Sequence, residues 1–436
     1  MDPTMIGFIF VLVMMTSILI GIDVAVALMG TSFVGMWIIR DFDTACSLFG
    51  STAFNTLFEY LLAAVPLFII MGLFGNMSGA SEDLFDSANK LLSRFRGGLG
   101  MATVLANAVF AAITGASIVS AAVFSKVAYP QMKRLGYEKK FSLGTIVGSS
   151  ALGMLIPPSL LFIYYGYLTE VSIGRLFMAG IFPGLVLTAV FCIGIWIMVY
   201  LKPELAGENR HKQPPVKGEW LAAVFKSWAF VALISFVLGG IYLGVVTATE
   251  AGALGAFVAL TIAIFRGRLT LKGLWQLLME VAGTVGSIFI LFIGAQMFSR
   301  MMALSTLPMA VTRFCAELSA PPFVVIIFLL FIYLLLGALI DSGSIILITT
   351  PIIFPIITSL GYDPIWYGVL AVLTIEIGLI TPPFGLCVFV MKSSLGDEIT
   401  VEEGFRGAFP FVIMMVMTVI IIFIFPGLST WLPSRM

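Results

Sequence analysis

Four short stretches of the 436-residue sequence bring glycine, proline and hydroxyl side chains together in otherwise apolar surroundings. They are Thr114-Gly115-Ala116-Ser117; Ser149-Ser150-Ala151-Leu152-Gly153, followed by Ile156-Pro157-Pro158-Ser159; Asp341-Ser342-Gly343-Ser344; and Thr374-Ile375-Glu376-Ile377-Gly378, followed by Thr381-Pro382-Pro383. Glycine and paired prolines free backbone groups from a helix, and Ser and Thr add oxygen ligands. A helix broken inside a membrane presents carbonyls at one broken end and N–H groups at the other. Carbonyls and hydroxyls suit Na⁺, and the N–H end suits an anionic group. The expected Na⁺ ligands are therefore Thr114, Gly115, Ser117, Ser149, Ser150, Gly153, Asp341, Ser342, Gly343, Ser344, Thr374, Gly378 and Thr381. An organic substrate is expected between the two clusters, against Ala116, Ser117, Pro157, Ser159, Ser344 and Pro382. The competing reading of each stretch is a mere kink, with hydroxyls bonded back to their own helix.

Acids at membrane depth are functional candidates by default. Asp341 sits beside the Ser-Gly-Ser turn, where a cation contact or a proton role is open. Glu376 has no acidic counterpart at Ala151, which suits a structural role, capping exposed backbone. Glu250 opens Thr-Ala-Thr-Glu-Ala-Gly-Ala-Leu-Gly-Ala-Phe (247–257), whose small residues equally suit helix packing. Glu59 is the fourth such acid.

Composition removes other chemistries. Apolar residues make up 60% and charged residues 11%, too apolar for a water-soluble fold, so the chain is read as an integral membrane protein in a lipid bilayer. The formal net charge of zero leaves no footprint for nucleic acid. One histidine, His211, lies in a polar loop, and Cys46, Cys192, Cys315 and Cys387 have no paired spacing. Transition-metal centres and histidine-dependent triads are thereby disfavoured. No phosphate-binding loop of the ATPase type occurs. Residues 5–22 are apolar but no Lys or Arg precedes Arg40, so a retained helix is expected rather than a cleaved signal.

The elements that must position these residues follow from hydropathy. Spans of about 20 apolar residues are expected near 5–22, 24–39, 57–77, 141–166, 176–201, 222–245, 248–265, 283–302, 365–391 and 407–432. Segments 98–130 and 321–358 are apolar but interrupted at their centres, and are read as re-entrant helical hairpins. Residues 81–96 (Leu84, Phe85, Ala88, Leu91, Leu92 and Phe95) and 268–282 (Leu271, Leu274, Trp275 and Leu278) are expected to be matching amphipathic arms in the membrane interface. Shifted by 225, the sequence matches itself. Ser117 falls on Ser342, Pro130 on Pro355, Leu135-Gly136-Tyr137 on Leu360-Gly361-Tyr362, Val147 on Val372, Gly153 on Gly378, Pro157-Pro158 on Pro382-Pro383, and Leu161 on Leu386. The expected organisation is a first repeat (1–201, broken helix 141–166), a polar cytoplasmic linker (202–220), and a second repeat (221–436, broken helix 365–391). This is an all-α polytopic membrane protein of two inverted-topology repeats, each with five membrane-crossing helices and one hairpin. Five is odd, so the second repeat enters the membrane upside down. With the N-terminus outside, 18 of the 23 Lys and Arg fall inside, as the positive-inside rule asks.

At these motifs the sequence resembles a known family. Val-Pro-Leu-Phe-Ile-Ile-Met-Gly (65–72), the runs 89–117 and 132–146, Leu-Ile-Pro-Pro-Ser (155–159), and the runs 169–185, 247–256 and 342–356 resemble the large membrane subunit, DctM type, of tripartite ATP-independent periplasmic (TRAP) transporters. The resemblance covers nearly the whole chain. It implies the ion transporter superfamily and an elevator mechanism, in which a transport domain of hairpins and broken helices slides against a scaffold. It also implies uptake driven by Na⁺ as the coupling ion, with no enzymatic step. The implied substrate is a small organic anion, a carboxylate or sulfonate such as a C4-dicarboxylate, keto acid or sialic acid. The implied partners are a small four-helix membrane subunit, expected as a separate chain, and a periplasmic substrate-binding protein. The implied location is the bacterial inner membrane with both termini periplasmic. By position, the hairpin tips and helix breaks match the family's ion and substrate region, although one tip reads Thr-Gly-Ala-Ser and the other Asp-Ser-Gly-Ser.

Three other readings compete. A self-sufficient Na⁺/dicarboxylate symporter of the same superfamily shares the fold. An intramembrane enzyme with Ser342 as nucleophile lacks a histidine base at depth. A passive channel lacks a continuous polar path.

Overall fold

Short polar side chains start many of the described helices. Asp23 accepts from Ala25 N, Asp41 from Thr44 N, and Asp363 from Ile365 N and Trp366 N, while Thr247 and Thr400 form reciprocal capping boxes with Glu250 and Glu403. The computed structural model describes residues 2–92, 94–207, 219–317 and 321–436, and no strand occurs among them. Residues 208–218 of the linker, with Arg210, His211, Lys212 and Lys217, lie outside the described residues.

The first part of the chain runs through helices Pro3–Leu19, Val24–Ile39, Phe42–Leu57, Ala64–Met77 and Ala80–Leu92. Next come a helical pair, Gly98–Thr114 and Ser117–Val127, and a broken helix, Lys139–Ser150, Leu152–Leu155 and Leu160–Thr169. Helix Ile173–Leu201 closes this part. The second part repeats the order with Glu219–Tyr242, Ala248–Phe265, Leu271–Ser305, Leu307–Glu317, the pair Pro322–Gly337 and Ser342–Ser359, then Pro364–Gly378, Leu386–Leu395 and Val401–Ile424.

Three features depart from the sequence reading. Phe42–Leu57 was not expected; it precedes Ala64–Met77 across a break at Phe58-Glu59. Segments 268–282 and 283–302 are not an arm plus a span. They form one helix, Leu271–Ser305, of 35 residues, about 52 Å long at the standard rise. Leu307–Glu317 was also not expected. The arms therefore pair differently from the expectation. Under the 225-residue offset, 80–92 falls on 305–317 and 42–57 falls on 267–282. Amphipathic period alone reveals a stripe but not its place in the order of elements. Within Ala80–Leu92, Leu84, Phe85 and Ala88 are buried, whereas Leu91, and Phe95 just beyond, are exposed.

Packing crosses between the two parts in exchanging pairs. Ala248–Phe265 lies on Ala64–Met77, and Leu271–Ser305 lies on Val24–Ile39. Leu386–Leu395 packs on Ser117–Val127, and Leu160–Thr169 on Ser342–Ser359. In each case the second pair is the first with the partners swapped at the 225 offset. Small residues allow the closest approaches. A Cβ on Gly144 would meet the carbonyl of Gly407, so Lys139–Ser150 and Val401–Ile424 touch backbone to backbone. Gly252 and Gly255 face Leu67, Phe68 and Met71, which accounts for the small residues after Glu250. Glu250 itself accepts from Thr247 N at 2.8 Å as a helix cap. Ion pairs also bridge the two parts: Arg266 with Asp83, Lys133 with Glu398, and Lys139 with Glu403.

Gly144→Ala is expected to cost about 1–3 kcal/mol through overpacking. Gly239→Ala, where an added Cβ meets nothing within 4 Å, is expected to leave the thermal unfolding midpoint in detergent unchanged or slightly higher. Equal midpoints for the two variants would contradict the backbone contact.

Candidate functional site

The first hairpin-like pair turns where the sequence interrupts it, and the second turns a few residues earlier than its Asp-Ser-Gly-Ser run. In the first, the helix ends at Thr114, Gly115 adopts a left-handed φ of 61°, and helix resumes at Ser117. A Cβ at Gly115 would meet the carbonyl oxygen of Pro158. In the second, Ala338–Asp341 is the turn, and Asp341 caps the following helix. Ser342, Gly343 and Ser344 therefore form the first turn of that helix rather than the break itself.

The partner helices break later than the sequence reading placed them. Ser149, Ser150 and Gly153 stay in helical turns, with only Ala151 between, and the chain unwinds at Ile156–Ser159. Thr374 and Gly378 also stay helical, and the unwinding runs through 379–385. The reason is that proline lacks an N–H and disfavours helix in the residue before it, whereas a helix tolerates Ser and Gly. Both double prolines contain a cis bond, Pro157-Pro158 and Pro382-Pro383.

Each broken helix is bonded at or beside its unwound segment to the turn of its own pair. Leu160 N donates to Gly115 O at 3.4 Å, and Phe384 N donates to Ala338 O at 3.2 Å. Gly153 packs on the backbone of Ala116 and Ser117, and Gly378 on that of Gly337 and Ala338. The two segments differ in exposure. Pro157, Pro158 and Ser159 are buried, while Pro382, Pro383 and Phe384 are exposed.

Around the first turn a polar nest is buried. The Ser117 hydroxyl donates to Glu376 Oε2 at 2.5 Å, across 259 residues of sequence. Glu376 is fully buried, and its Oε1 has no hydrogen-bond partner among the described residues. Ser120 Oγ and Asn107 Oδ1 also lack partners, although Asn107 Nδ2 donates to Ser149 Oγ at 2.8 Å. Glu376 thus accepts from the opposite hairpin and does not cap its own backbone. At the second turn, Asp341 accepts from Ser344 N at 2.9 Å and from Ser344 Oγ at 2.5 Å. Both carboxylate oxygens serve the cap. Gly343 faces the Tyr164 ring of the other broken helix.

Among the expected ligands, Thr114, Gly115, Ala116, Ser117, Gly153, Pro157 and Ser159 come together at the first turn. Asp341, Ser342, Gly343, Ser344 and Gly378 come together at the second. Several hydroxyls bond back to their own helix: Thr114 to Phe110 O, Ser149 to Ile146 O, Ser150 to Val147 O, Thr374 to Leu370 O and Thr381 to Gly378 O. Ser149 Oγ also accepts from Asn107 Nδ2. The Ser117–Glu376 bond, Asn107 and Tyr164 were not anticipated. Glu376 carried a signal as an intramembrane acid, but nothing in the sequence indicated its partner. A separate polar cavity of about 640 Å³ includes Thr52, Thr56, Glu59, Tyr167, Gln296 and Arg300 in its walls.

Comparisons with known proteins agree on a family. A family model described as "Tripartite ATP-independent periplasmic transporter, DctM component" matches residues 8–428. The chain is 34% identical over 383 residues to the C4-dicarboxylate TRAP transporter large permease protein DctM of Pseudomonas aeruginosa, covering 87% of this chain and 88% of that one. It is 30% identical to the 2,3-diketo-L-gulonate TRAP transporter large permease protein YiaN of Escherichia coli, over 96% of each. It is 29% identical to the sialic acid TRAP transporter large permease protein SiaM of Vibrio cholerae, over 86% and 87%. The YdaH transporter of Alcanivorax borkumensis has a similar fold, with a TM-score of 0.61 at 14% identity, over 100% of this chain and 98% of that one.

Ser117→Ala is expected to leave the buried Glu376 carboxyl without a donor, at a cost of about 1–3 kcal/mol. Glu376→Gln keeps an acceptor for the Ser117 hydroxyl and should cost less. An unchanged unfolding midpoint for Ser117→Ala would remove this bond from the account.

Proposed function

We propose that this chain, which belongs to the DctM component of the tripartite ATP-independent periplasmic transporter family, takes up a small organic anion with Na⁺ as the coupling ion. One observation carries the reading: two helical turns, one in each part of the chain, hold non-helical backbone against an unwound Pro-Pro segment. Non-helical backbone inside a bilayer is tolerated where it is buried in protein or lines a cavity. Carbonyls and hydroxyls freed there suit Na⁺, and N–H groups suit a carboxylate or sulfonate.

The exchanging helix pairs support two inverted repeats, because swapping partners at a constant offset is what a two-fold axis does. An elevator movement would run along the wall between the broken helix and the long helix, where Tyr164 and Tyr167 meet Phe292 edge-on at 4.8 and 5.3 Å. The hairpins and broken helices form the transport domain. The remaining helices form the scaffold, with Ala80–Leu92 and Leu307–Glu317 as interfacial arms. The partners are a small four-helix membrane subunit and a periplasmic binding protein, in the inner membrane, with both termini periplasmic. The named relatives act on a C4-dicarboxylate, a diketo sugar acid and sialic acid. What these substrates share is a carboxylate, and that is the substrate class assigned here.

The test is uptake into proteoliposomes containing the chain, its small subunit and binding protein, under an imposed Na⁺ gradient. Asp341→Ala and Ser342→Ala are expected to raise the Na⁺ concentration for half-maximal uptake about tenfold, equivalent to one lost charge-assisted contact. Unchanged Na⁺ dependence in both variants and in Ser117→Ala would refute the siting. Full-rate uptake by the chain alone would identify a self-sufficient symporter instead.

A further inference from the structure

We infer that the chain carries a binding site for the phosphate headgroup of an anionic phospholipid at the junction of helices Lys139–Ser150, Ile173–Leu201 and Val401–Ile424. A cavity of about 300 Å³ opens there, and Lys140 in the first turn of one helix, Lys202 at the end of the second and Arg406 in the second turn of the third line it. All three residues are exposed. Lys140 and Lys202 make no ion pair among the described residues, and Arg406 has only an exposed pair with Glu402 at 2.6 Å, a type worth little. Glu138 also lines the cavity, but its carboxylate is spent on the helix N-terminus, accepting from Phe141 N at 2.6 Å. The lining therefore carries three cations against one anion.

The rest of the wall is apolar: Phe141, Met198, Leu201, Pro410 and Phe411. Cations at a helix-end rim above an apolar pit match an amphiphile that has a phosphate at one end and hydrocarbon at the other. Lysine supplies a point charge, and arginine can fork two N–H groups onto two phosphate oxygens. Gly407 lies against the backbone of Lys140 and Gly144 with no room for a Cβ, and this close approach brings Lys140 and Arg406 to the same cavity. A free phosphate would use the rim alone, whereas a neutral lipid would use the pit alone. Only an anionic lipid uses both. The helices come from both parts of the chain, so a bound headgroup would tie the two halves together where they meet.

The experiment uses the purified full chain in detergent. It is titrated with short-chain phosphatidylglycerol, with phosphatidylcholine of the same chain length, and with inorganic phosphate, while lipid retention is read by native mass spectrometry and the unfolding midpoint is followed. Phosphatidylglycerol is expected to bind at least tenfold more tightly than phosphatidylcholine, and K140Q/K202Q/R406Q to abolish that preference. Each removed charge should weaken binding about fivefold. K140R/K202R, which keeps all three charges, should retain it, which separates loss of charge from loss of fold. Equal binding of the two lipids, or a preference that survives in the triple variant, would overturn the assignment. Inorganic phosphate that binds as tightly as phosphatidylglycerol would also overturn it, leaving an anion site with no lipid specificity.

Discussion

The rest of the structure depends on the need of buried peptide groups for partners in a solvent that supplies none. Helix satisfies that need along most of the chain. At Gly115-Ala116 and Ala338–Asp341 helix is abandoned, and the molecule answers locally by setting an unwound proline segment against each turn, with Leu160 N and Phe384 N donating across. A turn without its broken partner helix would expose unpaired backbone, so the two form a unit. Each unit needs the other as well, because Ser117 of one hairpin bonds to Glu376 of the opposite broken helix and Gly343 rests on Tyr164.

Close packing of helices then sets how the halves interlock. In a lipid environment burial of apolar surface drives association weakly, so contact quality matters more. Gly144 against Gly407 and Gly337 against Gly378 bring backbones together with nothing between. Exposed Leu271, Trp275, Phe328 and Phe409 face outward instead, as expected for surfaces that meet lipid or another subunit.

The sequence made the turns legible because glycine, proline and hydroxyls leave a visible gap in a hydrophobic run. The first turn coincides with Thr114–Ser117, and the second precedes its Ser-Gly-Ser run by a few residues. The partner breaks were placed too early because Ser149, Ser150 and Thr374 look disruptive yet bond back to their own carbonyls, and the prolines decide the matter. The change from amphipathic to apolar near residue 282 looked like a boundary, but a helix has no need to stop where its surroundings change. Leu307–Glu317 is hard to see in the sequence because eleven residues are too few for a membrane span and carry only a short stripe. The nest around Glu376 was invisible for a different reason. Its members come from four segments, and no local pattern records that they meet.

The long helix Leu271–Ser305 runs unbroken, whereas its counterpart is jointed at Phe58-Glu59 between Phe42–Leu57 and Ala64–Met77. One wall is thus a girder and the opposite wall has an elbow. A continuous run of helical hydrogen bonds joins the two ends of the first, while in the second the axis is free to change direction at Phe58-Glu59, so the two counterparts share an order of residues without sharing a shape.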